Sequence, residues 1–171
     1  MDDLRKLFSK IYDEHIDKIY RFVYLKVNSR EIAEDLTSEA FSKTWAVFRT
    51  KKEIENIKAF LYKTARNLVT DYYRQKGKIR IVAMDNPFLV DPRYNLEEEA
   101  KVNSDILYIR KALSDLKEDY QNVIIWYYLD DLSIGDISKI LGRTEQTTRV
   151  LLHRALKALK NKLEPSLSKE A

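Results

Sequence analysis

Glu31, Glu34, Asp35, Ser38, Glu39 and Ser42 recur at spacings of three and four, which places them on one side of a helix. Carboxylates arranged in this way can attract a basic protein surface. They can also hold a divalent cation of the kind that assists nucleoside triphosphate hydrolysis. The second chemistry needs acidic side chains converging from another helix, and the next helical stretch offers only Asp71 amid cations. His15 and His153 stand alone without metal-ligand spacing, and no nucleophile with an adjacent base is identifiable. The sequence therefore offers no catalytic residue, no metal site and no cofactor motif, and binding chemistry carries the functional reading.

The most specific binding pattern lies between Leu132 and Arg149. Ser133 can cap a short helix while Asp136, three positions on, completes a capping box. Ile134, Ile137, Ile140 and Leu141 share one face of that helix. Gly142 stands where the helix must end in a left-handed residue, and Thr144 follows as the cap of a second helix with Glu145 in its first turn. On the second helix Thr148, Leu152, Ala155, Leu156 and Leu159 form the inward stripe, and Gln146, Thr147, Arg149, Val150, His153 and Lys157 point outward. The outline is a helix-turn-helix whose outward stripe can enter a DNA major groove. Between Gly142 and Lys162 the cations Arg143, Arg149, Arg154, Lys157, Lys160 and Lys162 face a single anion, Glu145, and a surface of one sign suits phosphate.

These patterns must be carried by helices. The 171 residues include only three glycines and three prolines, so long segments run without a residue that interrupts a helix. Apolar residues at helical spacing predict a first helix from Leu4 to about Lys26. Asn28 and Glu31 then form a capping box for a second helix carrying Ile32, Leu36, Ala40, Phe41, Thr44, Trp45 and Phe48, and a third carries Ile57, Phe60, Leu61, Ala65, Leu68, Val69 and Tyr72. On the third helix Lys63, Arg66, Arg74 and Lys76 interleave with Phe60, Tyr62, Tyr72 and Tyr73, a mixture suited to unpaired bases, although Phe60 and Tyr72 lie on the core stripe. The stretch from Gly77 to about Ser104 contains Pro87, Pro92 and the run Glu97-Glu98-Glu99, and reads as an acidic linker. Beyond it, Ile106 to Leu116 and Val123 to Leu129 supply two more helices leading into the helix-turn-helix.

The expected fold is thus all-α: two small helical domains, 1–77 and 105–171, joined by an acidic linker at 78–104, the second domain containing the helix-turn-helix. The formal charge of +4 permits nucleic acid, and the absence of cysteine excludes disulfides and thiolate metal sites. The amino terminus lacks the basic-then-apolar order of a secretory signal, and the longest apolar run is far too short to span a bilayer. A cytoplasmic protein without membrane insertion is expected.

Two helical modules joined by an acidic segment resemble the extracytoplasmic-function (ECF) group of bacterial sigma factors, of the sigma-70 superfamily. The likeness is carried most specifically by Ala33-Glu34-Asp35-Leu36-Thr37-Ser38-Glu39-Ala40-Phe41, by the stretch Ala59 to Arg74, and by Leu152-His153-Arg154-Ala155-Leu156-Lys157-Ala158-Leu159. The resemblance implies that Asp35, Ser38 and Glu39, with Ser42 on the same face, dock on the clamp helices of the largest subunit of core RNA polymerase. It implies that Lys63, Arg66, Asn67, Asp71 and Arg74, with the loop Arg49 to Asn56, capture the melted minus-ten element. The minus-thirty-five element would be read by Arg143, Thr144, Gln146, Thr147, Arg149, Val150, His153, Arg154 and Lys157. Further implied partners are the flap of the second-largest subunit, promoter DNA and an anti-sigma factor. This sequence departs from the family pattern at Ser38, where glutamine is typical, at Lys117, where proline is customary after leucine, and at Val150-Leu151, where serine and arginine are usual. Two rival readings remain open from the residues: an operator-binding regulator that acts without polymerase, and an all-helical metal-dependent nucleotide hydrolase.

Overall fold

The computed structural model describes residues 2–50, 53–76 and 108–167, with side chains described to residue 164. Among these residues every regular element is helical. The chain divides into two compact units, one holding the first three helices and the other most of the helical residues after 107. The linker expected at 78–104 lies outside the described residues.

In the first unit α1 runs Asp2–Val27, α2 Arg30–Phe48 and α3 Ile57–Gln75, and each packs on the other two. Asp2 and Asp3 lie in the first turn of α1 and Lys26 in its last, each complementing the helix dipole. The turn into α2 differs by one residue from the sequence expectation. Ser29 is the cap, its hydroxyl accepting from the Ile32 amide, while Asn28 takes a left-handed φ of 51°. Asparagine tolerates that conformation better than most residues, so the chain uses Asn28 to end α1 and leaves the capping to serine. Asn56 caps α3 through its Oδ1, 3.0 Å from the Ala59 amide.

Ile19, Phe22, Val23, Leu61, Tyr62 and Ala65 are completely or almost completely buried at the centre of this bundle. The buried line of α2 is Ala33, Thr37, Ala40, Phe41 and Thr44, and the predicted Ile32 and Leu36 flank it half-exposed. Small residues on the contact line let the helix axes approach, and larger ones then fill the margins. Thr44 is tolerated at full burial because its hydroxyl donates to the Ala40 carbonyl at 2.8 Å. Phe8 lies against Trp45 and Phe48 with ring centroids 5.0 and 5.6 Å apart, packing α1 onto the end of α2. Leu7 and Tyr12, placed by periodicity on the inward stripe of α1, are about half exposed.

In the second unit a helix whose described part covers 108–114, here α4, is followed by α5 (Glu118–Ile124). Gln121 ties the two by donating from Nε2 to the Leu116 carbonyl at 3.0 Å. The apolar run Val123 to Leu129 is not one uniform helix. Ile125–Leu129 form a π turn, with the Asp130 amide reaching back to the Ile125 carbonyl. Trp126 is buried completely, whereas Tyr127, Tyr128 and Leu129 are exposed. Asp131 at φ 55° then redirects the chain into α6 (Ile134–Leu141) and, after Gly142, α7 (Glu145–Leu167), which packs against α5.

Candidate nucleic-acid interface

The corner between α6 and α7 has the caps expected at Ser133, Gly142 and Thr144. The Ser133 hydroxyl accepts from the Asp136 amide at 3.0 Å, capping α6. Gly142 has φ 63° and ψ 34°, and its amide bonds back to the Ser138 carbonyl. A β-carbon there would meet nothing within 4 Å, so glycine serves the backbone conformation and not any crowding. The Thr144 hydroxyl accepts from the Thr147 amide at 3.1 Å and caps α7. These bonds cap both ends of α6 and the start of α7.

That helix presents the expected residues on one side. Arg143, Thr144, Gln146, Thr147, Arg149, Val150, His153, Arg154 and Lys157 are all exposed, and Thr148, Leu152 and Ala155 are buried. The Thr148 hydroxyl, fully buried, donates to the Thr144 carbonyl at 2.9 Å. Two of the cations are already paired: Arg143 Nη2 lies 3.4 Å from Asp119 Oδ2, and Arg149 Nη2 lies 3.3 Å from Glu145 Oε2. Sequence reasoning assigned neither carboxylate to an arginine. The second pair was visible in its spacing of four, but the first joins residues 24 apart and has no local signal.

On α3, Lys63, Asn67, Asp71 and Arg74 are exposed and Arg66 is half-buried, and their spacing puts them along one flank. Arg66 Nη2 lies 3.5 Å from Asn67 Oδ1, and Arg74 Nη1 lies 3.8 Å from Asp71 Oδ1. The aromatics beside them are not as periodicity suggested. Tyr62 is the core ring, wholly buried against Phe22, while Phe60, Tyr72 and Tyr73 are half-buried. A tyrosine between two lysine-bearing turns gives no warning of this, because its hydroxyl makes it look like a surface residue. Tyr73 donates its hydroxyl to the Lys26 carbonyl, joining the end of α3 to the end of α1, and Lys76 Nζ stands 5.0 Å from the Tyr72 ring centre.

The acidic side of α2 is exposed at Asp35, Ser38, Glu39 and Ser42. Glu34 and Glu39 pair with the neighbouring cations Arg30 and Lys43 at 3.0 and 3.3 Å. Among the described residues no group of three or more acidic, histidine or cysteine side chains is placed to hold a metal ion.

A capped helix-turn-helix with an exposed basic face, in a chain whose other helical unit has one basic and one acidic flank, is the outline of a DNA-binding protein. Residues 106–159 match the family described as Sigma-70, region 4, and residues 11–79 match Sigma-70 region 2. The RNA polymerase sigma factor SigV of Bacillus subtilis (strain 168) is 28% identical over 150 residues, which cover 88% of this chain and 87% of that relative. The ECF RNA polymerase sigma factor BldN of Streptomyces coelicolor is 26% identical over 155 residues, 89% of this chain. The match spans only 58% of that relative's length. Among solved structures, the sigma factor RpoE in complex with the anti-sigma factor NepR from Bartonella quintana has the same fold. Its TM-score is 0.68 at 22% identity, with 93% of this chain and 98% of that chain covered. The chain belongs to the ECF group of sigma-70 family sigma factors.

Proposed function

We propose that this chain is a promoter-specificity subunit that binds core RNA polymerase and directs initiation at a distinct set of promoters. The observation that carries this reading is the order of the two family matches, region 2 then region 4, with exposed charged faces in both parts. Members of this family are not enzymes, and the polymerase supplies the chemistry.

In this reading residues 1–77 form the polymerase-binding and minus-ten domain, 78–104 the linker and 105–171 the minus-thirty-five domain. Asp35, Ser38, Glu39 and Ser42 contact the clamp helices of the largest polymerase subunit. Lys63, Arg66, Asn67, Asp71 and Arg74 hold the opened minus-ten strand, where cations follow the backbone and half-buried aromatic edges are available for stacking. Arg143, Thr144 and the exposed face of α7 as far as Lys157 read the minus-thirty-five element, and the polymerase flap supports the second domain. An anti-sigma factor is a further partner, as with the structural neighbour from Bartonella quintana. No described helix is long and apolar enough to cross a membrane, and a subunit of the transcription machinery works in the cytoplasm.

In vitro transcription with purified core enzyme and a genomic promoter library tests the proposal: selective initiation is expected only when the protein is added. A regulator acting without polymerase would instead bind operator duplex alone and show no retention on immobilised core enzyme, a result that would replace this reading.

A further inference from the structure

We propose that Glu145 is a positioning residue for upstream promoter reading, acting through Arg149, and that position 135 is glycine because its lack of a side chain makes room for the Glu145 carboxylate. This inference rests on the assignment of α7 as the reader of the minus-thirty-five element.

Gly135 lies in the first turn of α6, and Gly142 is the glycine with positive φ among the described residues. The backbone at 135 therefore gives no reason for glycine, which inside a helix is less favourable than alanine. What the missing side chain provides is room. A β-carbon on Gly135 would stand 3.3 Å from Glu145 Oε1, tighter than ordinary van der Waals contact. Glu145 begins α7, and its other oxygen, Oε2, lies 3.3 Å from Arg149 Nη2 one turn on. The carboxylate is thus seated between the positive first turn of α6 and the guanidinium of Arg149.

An exposed pair at this spacing adds little to stability, so its consequence is orientation. A guanidinium held from one side by a carboxylate offers its remaining N–H donors outward in a defined plane, which suits the paired acceptors O6 and N7 of guanine. The same carboxylate repels backbone phosphate, which disfavours binding to arbitrary sequence. Glu145 therefore trades general affinity for base discrimination.

The test uses the full chain assembled with core polymerase and a promoter library randomised across the minus-thirty-five element. Wild type, Glu145→Gln, Gly135→Ala, Arg149→Ala and the Glu145→Gln/Arg149→Ala double variant are compared, each also measured for thermal stability. Arg149→Ala is expected to erase preference at one base position. Glu145→Gln and Gly135→Ala are expected to lower it there roughly fivefold, within what a bidentate contact can supply. The double variant should be no worse than Arg149→Ala, and Gly135→Ala should melt no lower than wild type, so lost discrimination cannot be lost folding. Glu145→Gln should also bind random duplex more tightly. Wild-type preference retained in Glu145→Gln, an affinity change uniform over all sequences, or additive effects in the double variant would overturn the role of Glu145. Preference retained in Gly135→Ala would overturn that of Gly135. A wild type with no upstream preference at all would remove the assignment of α7 together with this inference, whereas preference lost in Arg149→Ala but kept in Glu145→Gln sinks the inference alone.

Discussion

Gly142 is held in a left-handed conformation with open space where a side chain would go, so its substitution isolates a backbone cost. Gly142→Ala is expected to lower unfolding free energy by about 1 kcal/mol or slightly more, and Gly142→Asn by less, as read by urea or thermal denaturation. Thr144→Ala removes the cap of α7 and should cost about 0.5–2 kcal/mol in the same measurement. Both residues were legible in the sequence because each motif is local: the Thr144 hydroxyl accepts from an amide three positions on, and the Gly142 amide bonds back to the Ser138 carbonyl four positions before it. Asn28 and Ser29 show where local reading stops. Both are good caps and adjacent, and the choice is made by which of them can end α1 in a left-handed turn, a matter of backbone geometry that composition does not display.

Among the helices, periodicity found the three that build the first unit but rotated the buried line of α2 toward its larger side chains. Ala40, Phe41 and Thr44 were placed correctly, but apolar size is a poor guide where a helix contact selects alanine and threonine, as at Ala33 and Thr37. The start of α5 offers a stability test. Lys117 has φ −57°, within the range a proline ring enforces, and an extended ψ of 147°, although the family's customary proline is missing. Lys117→Pro is expected to raise unfolding free energy by about 0.4–1 kcal/mol by restricting the unfolded chain, seen as a higher melting temperature. The π turn separates neighbouring aromatics by environment, which no sequence period could signal. Trp126→Ala should cost roughly 3–5 kcal/mol, whereas Tyr128→Ala on the exposed side should cost little in the same denaturation experiment.

At the scale of the whole molecule, charge is partitioned among three surfaces, with a basic exposed face on α7, a basic flank on α3 and an acidic flank on α2. Promoter affinity of the assembled polymerase should fall steeply with salt, at about 0.9 in logarithmic slope for each phosphate neutralised, and each lost phosphate contact such as Lys157→Ala should flatten that slope by about one unit. Asp35→Lys and Glu39→Lys should instead abolish retention on core enzyme and leave circular dichroism and thermal melting near wild type, since both side chains are exposed. The partition into two helical units could be read from where glycines and prolines fall, but the pairing of Arg143 with Asp119 could not, because it depends on how α5 meets the corner beyond α6. The widened turn at Ile125–Leu129 also bears on inheritance. It carries the extra residue that sets the angular phase between α5 and everything downstream, and a regular helix advances about 100° per residue. Loss of one codon here is expected to restore even pitch and to disturb how α7 seats on α5, although no exposed side chain of α7 would be altered.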